Sequence, residues 1–266
     1  LKVNGTINSY DIMLIRNKML NLKYLDLSAA EVVTNEYEYY TGYSSHDNML
    51  ENYAFSELKL RVVHLPKNLI AINDCFTSCI YLDTVYCQPG LETIGSNTFK
   101  GCTALRHIDL KEGLLTIGKN AFHETSKLQS IALPQSTEVL DEYAFYNSGL
   151  HALTIPANVS TMGQRAFAGS QLQSVTFAPN SQLKTLPKYA FSSQSSLKSI
   201  DWVNANLATI DAYAFSGCSS LNFEQFPKKV KTIKEYAFQG CSALEAINLP
   251  PRVETIEKYA FQGCKK

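Results

Sequence analysis

The 266-residue sequence contains no apolar run approaching the roughly 18 to 20 residues that a membrane-spanning helix needs. It has no surplus of either charge, since 24 basic residues are matched by 24 acidic ones. Nucleic-acid binding calls for several Lys or Arg set against phosphates, and no basic stripe of that kind is present. The densest basic cluster, Lys228, Lys229, Lys231 and Lys234, is followed at once by Glu235 and reads as a solvated surface loop. There is no C-x-x-C pair and no Cys/His set at zinc spacing, so no structural metal site is expected. H-E-x-x-H, G-x-S-x-G and a phosphate-cradling glycine loop are all missing. The five histidines, His46, His64, His107, His123 and His151, are scattered. Only His107 has a carboxylate, Asp109, at the same-face spacing of a strand, and no nucleophile accompanies the pair. The chain is expected not to be an enzyme and to need no cofactor. No export leader is visible in the sequence, and in a chain that starts without Met this says nothing about export.

What the sequence does have is a ruler. Ten phenylalanines, Phe55, Phe76, Phe99, Phe122, Phe145, Phe167, Phe191, Phe215, Phe238 and Phe261, recur at intervals of 21 to 24 residues. A fixed period in this range marks a stacked repeat architecture. One full period reads Leu91-Glu-Thr-Ile94-Gly-Ser-Asn-Thr-Phe99-Lys-Gly-Cys102-Thr-Ala-Leu105-Arg-His-Ile108-Asp-Leu110, and the pattern returns from Val230 to Leu249. Ile108 and Leu110 alternate at period two, the spacing of a strand with one buried face. About 23 residues leave no room for a long helix, so each period is read as short strand, turn, short extended segment and an Ala-Phe corner. Ten such coils at roughly 4.8 Å each would stack into a solenoid about 45 to 50 Å long around a parallel sheet.

Seven cysteines would suggest disulfides in an exported protein, but the register opposes that. Cys79, Cys102, Cys218, Cys241 and Cys264 each follow a repeat Phe by three residues, Cys75 takes the Ala position, and Cys87 a strand position. Each replaces a small apolar residue of the repeat, so all seven are expected as free thiols acting as compact hydrophobes.

Residues 1–49 break the ruler and are read as an N-terminal cap, with the solenoid occupying 50–266. Ser9 is the expected N-cap of a short helix carrying Asp11, Ile12, Ile15, Met19 and Leu20, followed by a first strand at Leu22, Leu25 and Leu27. Between Glu31 and Asn48 lies an irregular insertion rich in tyrosine. Tyr37, Tyr39, Tyr40 and Tyr43 are read there either as exposed anchors, because tyrosine buries a large area at low entropy cost, or as a lid folded back over the cap with each hydroxyl in water.

Register along the strands places on the outward face His64, Thr84 with Tyr86, His107 with Asp109, Ser130 with Ala132, and onward to Phe223 with Gln225 and Ala246 with Asn248. Tyr86, His107 and Asp109 join the four tyrosines as candidate binding residues. Glu224 falls where other coils carry Ile, and burying it would cost several kcal/mol. That strand is expected to bulge and turn Phe223 inward.

The recurring Leu-x-x-Ile-x-Leu-Pro, Val-x-x-Ile, Tyr-Ala-Phe and Gly-Cys elements, from about Leu50 to Cys264, resemble the BspA-like class of leucine-rich repeats. The N-terminal segment is similar to capping segments that precede such repeats in secreted proteins of Bacteroides-type bacteria. The resemblance implies a secreted or cell-surface protein of adhesion type that binds a host or bacterial surface protein. Hydroxyl-rich strands leave a glycan ligand, or a spacer role without one, as alternatives. The last period breaks off after Cys264, and such an open coil is expected to favour end-to-end association.

Overall fold

The computed structural model describes residues 1–245 and 247–265, so Ala246 lies outside the described residues. The coils stack into a solenoid with two series, or ladders, of parallel strands, each divided into separate sheets along its length. In the first, β1 (Lys2–Ile7) pairs with β2 (Tyr24–Val32), which continues through Val62–His64 and Thr84–Tyr86 to His107–Asp109. It resumes with Ala152–Ile155, Ser174–Phe177 and Ser199–Asp201. The second ladder is built from two-residue strands such as Thr93–Ile94, Thr116–Ile117 and Thr232–Ile233. In these strands Ile is buried and the β-branched Thr faces outward, which suits a half-buried pleat.

The first ladder is broken twice. Ser130 to Ala132, expected as a strand, forms none. That break coincides with a shortening of the bend after Phe, from Phe122–Leu128 to Phe145–Leu150, by one residue. Gly149 fits the tighter bend because a Cβ there would stand 2.2 Å from the Ser126 carbonyl oxygen. At the second break only an isolated bridge joins Gln225 to Asn248. Glu224 is exposed while Phe223 and Phe226 are buried, so the expected inward turn of Phe223 is what the chain does.

The phenylalanines form one continuous column. Nine of the ten have less than 2 % of their surface exposed, and neighbouring ring centroids lie between 5.0 Å (Phe122–Phe145) and 5.7 Å (Phe55–Phe76) apart. The corner that holds each ring follows a backbone rule not visible in composition: the residues two before and two after Phe have positive φ. Asn97 and Gly101 flank Phe99 this way, as do Asn120 and Glu124 around Phe122. Alternating the backbone hand sends every second N–H along the stack. Asn97, Phe99 and Gly101 donate to the carbonyls of Lys119, Ala121 and His123 in the next coil, while Lys100 donates back to Asn97. Glycine occupies the second left-handed position in only some coils. At the exposed Ser193 (φ 60°), Ser193→Gly is expected to raise stability by about 0.5 to 1 kcal/mol through relief of left-handed strain. Urea denaturation checks this, and a destabilised variant would show that the corner is not strained there.

The position three after Phe has a second role beside filling space. The thiols of Cys79, Cys102 and Cys218 donate to the carbonyls of Phe55, Phe76 and Phe191, each at 3.1 Å. Ser170 donates to Phe145, and Gln194 to Phe167, from the equivalent place. The sequence reading took these cysteines as plain hydrophobes, but the position is a donor to the preceding coil, which explains why Cys, Ser and Gln interchange there. All seven cysteines are free, and only Cys264 is not fully buried. Burial pushes the thiols of Cys79, Cys87 and Cys218 up to about 12. Since the thiolate is the reactive form, a disulfide-exchange reagent is expected to titrate seven thiols in denaturant and to react promptly with Cys264 alone in the folded protein. Rapid modification of Cys102 or Cys218 would refute this.

The cap differs from expectation in three ways. Helix α1 (Ser9–Lys18) is capped by Asn8, not Ser9: the Asn8 side chain accepts from the Tyr10 N–H, and Asp11 accepts from the Asn8 N–H in return. Ser9 is instead buried against Ser45, whose N–H it receives at 2.8 Å. The outermost strand is β1, which the sequence reading missed because Lys2–Ile7 has only two buried or half-buried side chains. The tyrosine-rich insertion is not irregular. It is an antiparallel hairpin of β3 (Asn35–Tyr40) and β4 (Tyr43–Ser45) that packs on α1.

Candidate interaction surface

Strand register decides which outward side chains meet. Across the first ladder Tyr24, Val62, Thr84 and His107 share one row, and Asp26, His64, Tyr86 and Asp109 the next. Tyr24 and His107 lie in the first row and His64 and Tyr86 side by side in the second, and diagonal neighbours on a sheet are within reach for rings. The result is an unbroken outward stripe: Tyr24 to His64 at 5.6 Å, His64 stacked on Tyr86 at 4.3 Å, and Tyr86 edge-on to His107 at 6.2 Å. The Tyr24 hydroxyl and His64 Nε2 are 3.1 Å apart. Tyr24, Tyr86 and His107 are exposed.

Carboxylates mark both ends of the second row. The hydroxyl and N–H of Ser28 hold the Asp26 carboxyl below the usual carboxylate range, helped by His64 and Lys2. Asp109 bonds to Lys111, so the imagined Asp109–His107 pair is not made and His107 packs on Tyr86 instead. The stripe offers ring faces and acceptors but no nucleophile. Among the described residues no three His, Cys, Asp or Glu gather as a metal site.

The four insertion tyrosines part company. Tyr37 is 63 % exposed and its ring packs at a tilt against Tyr10 of α1, 4.8 Å between centres. Tyr40 and Tyr43 form a cluster with Tyr53, and the Arg16 guanidinium lies 4.4 Å from the Tyr40 ring centre. Tyr39 cannot act as an exposed anchor: it is 4 % exposed, and its hydroxyl donates to the Glu51 carbonyl. Alternation along β3 turns Tyr39 inward when its neighbours point outward. No aromatic contact links the hairpin cluster to the Tyr86–His107 stripe among the described residues, so the candidate residues fall into two groups.

Sequence reasoning missed Tyr24 in the stripe. Its signal was the period-two pattern running on from Tyr24 to Asp26, hidden because the strand lies before the first repeat Phe.

The geometry of this solenoid has relatives. A leucine-rich repeat protein from Eubacterium ventriosum is 19 % identical, with 93 % of this chain and 70 % of that one aligned at a TM-score of 0.58. The leucine-rich repeat protein of T. pallidum is 27 % identical over 65 % of this chain and 82 % of its own, also at 0.58. The pneumococcal vaccine antigen PcpA is 18 % identical over 98 % of this chain and 72 % of its own, at 0.50. No curated protein matches the sequence. The sequence profile of the BspA type leucine rich repeat region matches residues 44–151 and 138–266, and with the Phe column and ladders that carry the profile in place, the chain belongs to that family.

Proposed function

We propose that this chain is the binding scaffold of a secreted or cell-surface bacterial protein of adhesion type, and that its ligand is a protein on a host or bacterial surface. The observation that carries the reading is the exposed stripe Tyr24–His64–Tyr86–His107, flanked by Asp26 and Asp109. Hot spots in protein interfaces favour tyrosine over the small Ser and Thr that cover the middle of the sheet. The hairpin tyrosines Tyr37, Tyr40 and Tyr43 form the second contact region. Membership of a BspA type repeat family supports the reading, as does likeness to a pneumococcal vaccine antigen.

Three variants separate the regions: Tyr24, Tyr86 and His107 to Ser; Tyr37, Tyr40 and Tyr43 to Ser; and Ser174, Thr176 and Ser199 to Ala. Binding of each to immobilised surface-protein extracts is the measurement. The first two are expected to lose about tenfold or more in affinity, since a truncated aromatic anchor removes 1 to 2 kcal/mol or more, with unfolding curves unchanged. Loss confined to the third variant would place the contact in the middle of the sheet and refute the assignment. A glycan ligand would show as binding abolished by deglycosylating the extract.

A further inference from the structure

The second break in the first ladder leaves two adjoining hollows. The first, about 460 Å³, has Ile200, Trp202, Phe223 and Phe226 in its wall and is bordered by the exposed Glu224 and Lys228. It exists because Glu224 displaces the strand: no backbone hydrogen bond joins Phe223–Phe226 to Ser199–Trp202 among the described residues. Its aromatic wall is braced by the main column, with Trp202 edge-on to Phe215 at 6.0 Å and Phe226 edge-on to Phe238 at 5.5 Å. The second hollow, about 400 Å³, is polar, with Asn180, Ser181, Asn204, Asn206 and Lys229 in its wall. Val203 and Lys228 border both. Val203 is 83 % exposed, the largest exposure of any apolar side chain among the described residues.

Unpaired positive charge and unmet hydrogen bonding coincide at this place. Of the four lysines of the basic cluster, Lys231 is paired with Glu254 at 2.8 Å and Lys234 with Asp211 at 3.0 Å. Lys228 and Lys229 have no carboxylate partner among the described residues; Lys229 reaches only the Asn206 side chain. Trp202 Nε1 and Ser181 Oγ, one from each hollow's wall, are buried without partners, and a buried polar group left unmet is a cost that a ligand's hydrogen bond can remove.

We propose that the paired hollows bind an acidic peptide segment, one large apolar side chain lying against Trp202, Phe223 and Phe226 and the adjacent carboxylates against Lys228 and Lys229. The apolar hollow has the volume for one aromatic side chain, and the two unpaired ammonium groups beside it are complementary to negative charge. This site is separate from the aromatic stripe on the N-terminal strands and does not depend on it.

Trp202 is the sole tryptophan of the chain, so its fluorescence reports occupancy directly. The probe is the acetylated, amidated pentapeptide Asp-Glu-Phe-Asp-Glu. It is expected to shift the emission saturably with a Kd of about 10 to 100 µM, and to bind about tenfold or more weakly to the K228E/K229E double variant, whose exposed positions leave the thermal unfolding midpoint unchanged. Replacing the peptide Phe by Ser is expected to abolish the response. The proposal is overturned by no saturable change up to about 1 mM, or by equal binding of the Phe and Ser peptides. It is overturned equally by undiminished binding to the double variant, or by a saturable response to an acidic oligosaccharide and none to the peptide.

Discussion

Phe145→Ala is expected to lower the unfolding free energy by about 3 to 5 kcal/mol, from lost transfer energy together with the cavity left behind. Phe145 is fully buried, with the rings of Phe122 and Phe167 centred 5.0 and 5.1 Å away and stacked nearly parallel to it. Its coil cannot collapse into the vacancy, because the Phe145 N–H is bonded to Ala166 and the Phe122 N–H to Ala144. Stability in a stack is a sum of neighbour terms, so removing one ring weakens the interfaces on both its sides. Phe261, only partly buried, has one stacking neighbour in the column, Phe238, and Phe261→Ala should cost less than half as much. Urea denaturation of the two variants decides; equal losses would show that the column is not cooperative.

Alkaline conditions are expected to unfold the protein between about pH 9 and 11, driven by its buried thiols. Cys79, Cys87 and Cys218 are pushed from 9.0 up to about 12 by burial, and Cys75, Cys102 and Cys241 are raised as well. Below pH 9 both folded and unfolded chains keep these protons, and the pH dependence from this source is flat. Above it the unfolded chain releases protons that the folded chain still holds, so stability falls by about 1.4 kcal/mol per pH unit for each thiol until the folded value is passed. Six buried thiols acting together would exhaust a stability of about 5 to 15 kcal/mol within one or two pH units. Far-UV circular dichroism against pH gives the midpoint. Replacing Cys79, Cys218 and Cys241 by Ser keeps the donor to the preceding Phe carbonyl, as Ser170 does naturally, while removing the ionisation. The midpoint should therefore rise. An unchanged midpoint would assign alkaline unfolding to lysine and tyrosine titration instead.

The repeat, the Phe column, the parallel ladders and the free thiols were all readable from spacing, because a period of about 23 residues forces every coil to solve the same packing problem in the same way. What lay outside the period was harder to read. Ser9 and Asn8 are both good caps, and only the reciprocal bond from Asp11 distinguishes them. The buried Tyr39 depends on hairpin phase, which a run of tyrosines does not reveal. Strand register put Tyr86, His107 and Asp109 on the outward face, but the side-chain contact that the His107–Asp109 spacing allows is not made, because Asp109 bonds Lys111 two residues on. Trp202 was passed over because it falls in the turn after the strand, where the repeat prescribes nothing.

The corner bonds point one way. From the Phe55 corner to the Phe215 corner the N–H groups at Phe and two residues either side reach forward to carbonyls of the coil that follows, and where a Cys, Ser170 or Gln194 stands three residues after Phe its side chain reaches back to the coil before. A chain emerging from the ribosome or an export channel amino end first can therefore close each coil onto a finished template as soon as its Cys, Ser or Gln appears. The cap, whose helix is hydrogen-bonded to the hairpin and to the loop at Tyr53 and Ser56, is available as the first template. Growth of the stack in this order would need only about 23 more residues for each coil.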